Sequence, residues 1–325
     1  MNYVFFSSSA FGLPALEALR EQYGTPAIIV TKRDAAAGQN RTPKENVVRT
    51  WGKVHRAVVL QPKDITDTKF LSILRKTRSD VFLIASYGKL LPTALLEMPR
   101  RGTLNIHPSL LPCLRGPSPI QTTILSGKTL TGVSIMLTDQ QTDHGPILAQ
   151  KNYTITDPHI TTPQLEQALA KLGAETLLEI LPDWLDGSCA AKEQDHDKAT
   201  RTKLITKKDG HIDWHESALM LERKIRAYQP WPSAYTFWKK GSGKQMQLQL
   251  LRASVIRAST DTKLVGTVYA HKHIAECADT ADDAFAVTTG NGALCVSSLK
   301  PEGKKEMSSA AFLAGHPDII GAILS

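Results

Sequence analysis

The first 150 residues alternate short, β-branched apolar runs with helical patterns, and this alternation constrains the fold more than any other feature of the chain. NYVFF (2–6) precedes LPALEALREQ (13–22), AIIV (27–30) precedes a helical pattern near 44–53, and VVL (58–60) precedes DTKFLSILRKT (67–77). In that last stretch Phe70, Leu71, Ile73 and Leu74 suit one helical face. VFLIA (81–85) is apolar throughout and bounded by charge and Tyr-Gly, as a buried parallel strand is. The order predicts a doubly wound α/β sheet, in which ligands bind at the carboxyl ends of strands. TLNIH (103–107) places one such end, and the proline-pinned loop PSLLPCLRGPSP behind it, on that edge.

Further along, a short helix is expected from Ile120 to Leu125, with strands at GVSIM (132–136) and ILAQKNY (147–153) flanking the polar turn TDQQTDHGP (138–146). Thr162 as N-cap and Pro163 at the first helical position open a helix through QLEQALAKLGAETLLEIL. DGSCAAKEQDHDKATRTK (186–203) has no period and no large apolar residue, and reads as an interdomain linker. Beyond it, IDWHESALMLERKIRAYQPWP (212–232) predicts an N-capped helix stopped by prolines. The short strand-like pieces SAYTFW, QMQLQLL, KLVGTVYA, DAFAVTT and ALCVSSL follow, and SSAAFLAG (308–315) is a closing helix. Evenly spaced short strands predict a small OB-like β-barrel. The expected domains are therefore 1–189, a basic linker over 190–208, and 209–325.

Composition narrows the function classes. The chain is 42% hydrophobic and 22% charged, and no apolar run approaches the roughly 18 residues of a membrane span. MNYVFFSSSAF has no basic start and too short an apolar run for a signal peptide. Cys113, Cys189, Cys277 and Cys295 form no CxxC pair and no zinc spacing. A reduced cytoplasmic protein without a structural metal, and monomeric, is the expectation. The net charge of +8 permits an anionic partner. Residues 1–189 carry 20 Lys/Arg against 16 Asp/Glu, and residues 190–325 carry 19 against 15, so there is no basic tail. A local excess falls at 199–211, with Arg201, Lys203, Lys207 and Lys208 against Asp209 alone.

Asn105 and His107 are two apart, which on a strand puts both on one face and turns Ile106 the other way. An amide and an imidazole projecting together can hydrogen-bond a carbonyl and stabilise it as it becomes an oxyanion. They can equally satisfy loop backbone groups, and spacing does not decide. Asp143 is a candidate third member, able to orient His107 and assist proton transfer, or else an ordinary turn former. His144 is a weaker competitor. SSSAFG lacks the GxGxxG fingerprint, and neither GxxxxGK[ST] nor GxSxG occurs. Cys113 follows Pro112 with no activating base in sight. What remains suits direct transfer of an activated acyl group to an amine.

LNIHPSLLPCLRGPSPIQ (104–121), followed by TDHGPIL (142–148), resembles the signature of the folate-dependent formyltransferases. FFSSSAFGLPALEAL (5–19) and SYGKLLPTALLEMPRRGTLNIHPSLLP (86–112) extend the likeness. IDWHESALMLERKIRAYQPWPSAY (212–235) and LKPEGKKEMSSAAFLAG (299–315) resemble the second domain of the branch that acts on methionyl-tRNA. The resemblance implies a Rossmann-like formyltransferase domain joined to an OB-like domain that helps hold tRNA. It implies 10-formyltetrahydrofolate as donor and methionyl-initiator tRNA as acceptor. Asn105, His107 and Asp143 match the family's catalytic trio, and Ser109, Leu110, Leu111 and Pro112 its folate-binding segment. Tyr87 and Gly88 match the loop lining the pterin pocket. Arg41 and Lys44 fall where the family contacts the acceptor stem, although Gly38-Gln39-Asn40-Arg41 keeps only one Gly of the usual Gly-Arg-Gly pattern. Arg201, Lys203, Lys207 and Lys208 are candidates for RNA phosphates. The alternatives are a formyltransferase acting on an amino sugar nucleotide or another small amine, and a non-enzymatic RNA-binding protein; residues 212–325 and the Asn–His–Asp set argue against them.

Overall fold

The apolar runs form strands where their patterns place them. In the computed structural model, which describes residues 1–37, 42–241, 243, 245–256, 264–271 and 284–325, the first unit comprises Met1–Ile120, Thr129–Thr156 and Gln164–Leu204. Its strands are β1 (Tyr3–Ser7), β2 (Ile28–Val30), the isolated pair β3 (Ala35–Ala37) and β4 (Thr42–Lys44), β5 (Val59–Leu60), β6 (Val81–Ala85), β7 (Thr103–His107), β8 (Leu130–Leu137) and β9 (Ile147–Thr154). A seven-stranded sheet runs in the order β5-β2-β1-β6-β7-β8-β9. Its first five strands are parallel, and β8 and β9 add on antiparallel. The helices α1 (Leu13–Tyr23), α2 (Val47–Val54), α3 (Thr68–Lys76), α4 (Thr93–Leu96) and nearly all of α6 (Thr162–Asp186) belong to this unit, whereas α5 (Pro119–Leu125) falls mostly in the second.

Side-chain alternation divides the sheet into two faces. Val4, Phe6, Val30 and Phe82 pack with Phe70 and Leu74 of α3 and Leu95 and Leu96 of α4. On the opposite face α2 brings Gly52 against Val59 and Ile29, and α6 brings Gly173 against Ile106. A Cβ on Gly173 would lie 2.5 Å from Ile106 Cγ2, so this mid-helix glycine lets α6 sit close to β7. Asp67 caps α3 by accepting the Phe70 N–H at 3.0 Å. The helix expected to end at Leu181 runs on through Pro182 to Asp186. Pro182 has no N–H to give the Leu178 carbonyl one turn earlier, and Trp184 Nε1 anchors the last turn on the Arg101 carbonyl at 2.8 Å.

The second unit comprises Gln121–Lys128, Asp157–Pro163 and Ile205–Ser325. It contains α7 (Ala218–Ala227), β10 (Ala234–Lys239), β11 (Gln245–Ile256), β12 (Val268–His271), β13 (Ala284–Thr288), β14 (Ala293–Pro301), β15 (Met307–Ser308) and α8 (Ser309–Gly315). The antiparallel order is β10-β11-β14-β13-β12, with β15 on β14. Register shifts at Leu250, Arg252 and Ala253 mark a bulged stretch of β11, and bulges bend and coil a strand, which suits the curled, OB-like half-barrel. Trp238, Phe285 and Phe312 fill its core with Leu221 and Ile225 of α7. The helix expected from 212 begins only at Ala218, capped by Ser217. Asp213 instead accepts the His215 N–H at 3.0 Å, and the Ile212 N–H bonds the Tyr235 carbonyl at 2.9 Å. Among the described residues no helix is long and apolar enough to cross a membrane.

Candidate active site

β7 carries the centre of the site. Ile84 of β6 pairs with Asn105, and His107 pairs with Ser134 of β8, so Thr103, Asn105 and His107 share the face that Ile84 and Phe82 occupy. Thr103 bonds the Leu96 carbonyl beneath α4. Asn105 and His107 lie beyond it, towards the carboxyl end. His107 is 4% exposed and Asn105 is half-buried.

Both residues meet one oxygen of Asp143. Asn105 Nδ2 lies 3.4 Å from Asp143 Oδ1, and His107 Nδ1 lies 3.5 Å from the same atom. Each separation exceeds the ~2.9 Å of a relaxed N–H···O bond, so neither nitrogen is spent on the carboxylate. His107 Nε2 lies 3.0 Å from the Leu114 carbonyl, which only accepts; the ring therefore carries a proton on Nε2 and turns Nδ1 to Asp143. The other carboxylate oxygen accepts the Gly116 N–H at 2.7 Å.

Two non-glycine residues hold left-handed backbone here: Leu114 at φ 59° and Asp143 at φ 50°. Such residues are uncommon and cluster where structure over-determines them. Leu114 thereby delivers its carbonyl to His107, and Asp143 its carboxylate to the β7 face. Gly116 has φ 107°, and a Cβ there would lie 2.8 Å from Thr202 Oγ1. Gly145, two residues beyond Asp143, has no room for a side chain either, because its Cβ would collide with the Leu137 carbonyl.

The proline loop is rigid through its backbone. Ser134 Oγ donates to the Ser109 carbonyl at 2.6 Å and accepts the Leu111 N–H at 3.0 Å. Gln150 Nε2 donates to the Leu111 carbonyl at 2.8 Å. The Ser109 hydroxyl is turned inward to the Cys113 carbonyl at 2.6 Å, and the Leu111 side chain is buried. Leu110 and Pro112 are half-buried. Tyr87 is 1% exposed and packed edge-on against Phe6, and among the described residues its hydroxyl has no hydrogen-bond partner. Burial pushes this phenol up to about 12. Gly88, at φ 70°, leaves the space that Lys32 Nζ occupies.

The tract 186–203, expected to be an interdomain linker carrying candidate RNA contacts, is stitched to this loop. Thr200 Oγ1 accepts the Leu114 N–H at 2.8 Å, its carbonyl accepts the Arg115 N–H at 2.9 Å, and the Thr202 N–H donates to the Arg115 carbonyl at 2.7 Å. Gln194 holds both Arg115 and the Asp143 turn. Arg115 is 3% exposed, and burial together with the charge of Arg201 draws its guanidinium below its usual value. His144 pairs with Asp139 at 2.6 Å and stacks on His196, centroids 4.1 Å apart, so it is occupied away from Asn105 and His107. Ser134, Gln150, Gln194, Thr200 and Thr202 gave no signal in the sequence, since each supports a loop to which no period applies.

The candidate tRNA contacts are placed separately. Arg201 and Lys203 are exposed in the first unit, and Lys207 and Lys208 are exposed in the second, on a 3-10 turn capped by Thr206 and Asp209. Arg41 lies outside the described residues. Lys44 pairs through its backbone with Ala35, and its side chain lies outside the described part of the chain.

This geometry has relatives. The family model described as formyl transferase matches residues 1–181, and that for the formyl transferase C-terminal domain matches residues 204–317. A methionyl-tRNA formyltransferase of Chloroflexus aggregans is 39% identical over 315 residues, covering 97% of both chains. One of Myxococcus xanthus is 36% identical over 313 residues, covering 96% of this chain and 94% of its own. Among solved structures, HypX from Aquifex aeolicus in complex with tetrahydrofolic acid aligns with a TM-score of 0.61 at 16% identity over 98% of this chain. This chain spans about half the length of HypX (48%). WlaRD, a sugar 3N-formyl transferase, aligns with a TM-score of 0.60 at 14% identity, covering 94% of this chain and 99% of its own. Those two show the fold. The full-length matches show the family: this chain belongs to the methionyl-tRNA formyltransferases.

Proposed function

We propose that the protein transfers a formyl group from 10-formyltetrahydrofolate to the α-amine of methionyl-initiator tRNA. The observation that carries this reading is the meeting of Asn105 and His107 on one oxygen of Asp143 at the end of β7, in a chain 39% identical along its length to a methionyl-tRNA formyltransferase. The folate, a substrate, supplies the formyl carbon. Ser109 to Pro112 hold it by a wall whose conformation is fixed before binding, which limits the entropy lost on association. Tyr87 and Gly88 belong to the loop that lines the pterin end of the folate, with the Tyr87 ring packed into the core behind it.

Asn105 Nδ2 and the His107 ring stabilise the formyl oxygen as the neutral amine attacks and charge develops there. Asp143 orients His107 and accepts the proton the amine gives up; collapse of the tetrahedral intermediate then breaks the bond between the formyl carbon and N10 of the folate, and that proton passes to N10 as tetrahydrofolate leaves. The Leu114 carbonyl holds the Nε2–H, so the ring acts on the formyl oxygen through Nδ1, with a proton on that nitrogen as well. On the acceptor side Arg201, Lys203, Lys207 and Lys208, with Arg41 and Lys44, meet tRNA phosphates.

Acceptor choice tests the reading. With labelled 10-formyltetrahydrofolate, methionyl-initiator tRNA should be formylated, elongator methionyl-tRNA much less, and a nucleotide-linked amino sugar not at all. Formylation of the sugar alone would assign the chain to the amino-sugar branch instead. Replacing Arg201, Lys203, Lys207 and Lys208 together by alanine should shallow the log–log salt dependence of tRNA affinity, by a slope of roughly one for each phosphate no longer neutralised. An unchanged slope would remove these four from the interface.

A further inference from the structure

Gln194 lies in the polar tract 186–203, yet it is 6% exposed and its amide is fully used. Its oxygen accepts from Arg115 Nε at 3.1 Å and from Arg115 Nη2 at 2.7 Å. Its nitrogen donates to the Asp143 carbonyl at 3.0 Å and to the Gly145 carbonyl at 2.7 Å. The orientation of this amide is fixed by chemistry: a guanidinium has only donors and the two carbonyls only accept, so flipping the amide would oppose like groups at all four contacts. Few side chains meet this demand. A carboxylate would satisfy Arg115 but present acceptors to two carbonyls, and an alkyl group would satisfy neither side.

The bonds of Gln194 join two pieces of chain that otherwise meet at Asp143. Arg115 follows Leu114, whose carbonyl holds His107 Nε2, and precedes Gly116, whose N–H holds Asp143 Oδ2. Asp143 and Gly145 form the turn that presents the carboxylate. Among the described residues Arg115 ion-pairs with no carboxylate: Gln194 Oε1 accepts from its Nε and Nη2, and the Nδ1 of His196 lies 2.8 Å from Nη2. A buried guanidinium held by neutral acceptors beside Asp143 fixes the loop without competing for the Asp143 carboxylate.

From this geometry we infer that Gln194 is a positioning residue for formyl transfer, acting through the Asp143 turn and the Arg115 loop at once. The inference rests on the proposed role of Asp143. Four proteins separate the two ideas: wild type, Gln194→Ala, Asp143→Ala and the double variant, assayed for kcat and KM, with amide hydrogen exchange at Gly116 as a readout independent of turnover. Gln194→Ala should lower kcat roughly 10- to 100-fold, as small misplacements of reacting groups do, with the KM for folate donor and tRNA within about threefold. In the Asp143→Ala background the same change should cost less than about twofold, because residues acting as one unit are non-additive. The Gly116 amide should exchange at least about tenfold faster in Gln194→Ala. Gln194→Glu keeps the Arg115 side and loses the two carbonyl bonds, so it serves if the alanine variant does not fold, and it should lose kcat in the same way. Equal fold losses in both backgrounds, or a kcat within twofold of wild type, would overturn the inference while leaving Asp143 intact. Full activity in Asp143→Ala would instead overturn the reading on which it depends.

Discussion

His107→Ala is expected to lower kcat for formyl transfer by about 10³-fold, within the range for loss of an oxyanion donor or a general acid–base. The folate donor should keep its KM within a few-fold, because the wall proposed to bind it, residues 109–112, takes its shape from Ser134 and Gln150 and not from the imidazole. The reason for so large a loss is geometric. His107 is almost fully buried, its Nε2 is committed to Leu114, and its Nδ1 is turned to Asp143, so no other described side chain replaces it. Initial rates over a range of donor concentrations check this. A kcat near wild type, or a loss carried wholly by KM, would move His107 from the chemistry to binding.

Gly145→Ala should lower both stability and turnover. Its Cβ would be driven into the Leu137 carbonyl, an atom of the β8 end that cannot swing aside as a side chain would. The same turn is closed by the Leu137 N–H on the Pro146 carbonyl at 2.9 Å, so relieving the clash opens the turn. Overpacking of this kind costs about 1–3 kcal/mol, which corresponds to a lower Tm by roughly 2–4 °C per kcal/mol in a unit of this size. Because Gly145 is two residues from Asp143 and accepts from Gln194, turnover should fall further than stability explains. Thermal unfolding and kcat measured on the same preparation separate the two effects; a lower Tm with unchanged kcat would show that the turn tolerates movement.

Much of the first unit was legible because its strands are buried on both faces. VFLIA and TLNIH carry no polar residue that a buried parallel strand could not hold, and they form β6 and β7 at the expected residues. The period of two also foretold that Ile106 would oppose Asn105 and His107, as its contact with Gly173 shows. Position 143 was different. Nothing in TDQQTDHGP states that Asp143 adopts a left-handed backbone or that Gly116 reaches its carboxylate; the sequence offered it as a candidate third member or a turn former, and family resemblance favoured the first. The tract 186–203 was the least legible. Its work is done by single amides and hydroxyls bonded to a loop some 85 residues earlier in the chain, as Thr202 is to Arg115 (87 residues), and such bonds leave no hydrophobic pattern. Ser109 and Leu111 show the converse: both match a ligand-binding segment, yet their side chains turn inward to support it.

The most direct measurement is single-turnover transfer of a labelled formyl group from 10-formyltetrahydrofolate to methionyl-initiator tRNA, by the wild-type chain and by Asp143→Ala. The account predicts label on the methionyl amine, a rate more than about 10²-fold lower in the variant, and donor affinity unchanged within about threefold. Label that never reaches the methionyl amine, or equal rates in the two proteins, would contradict it.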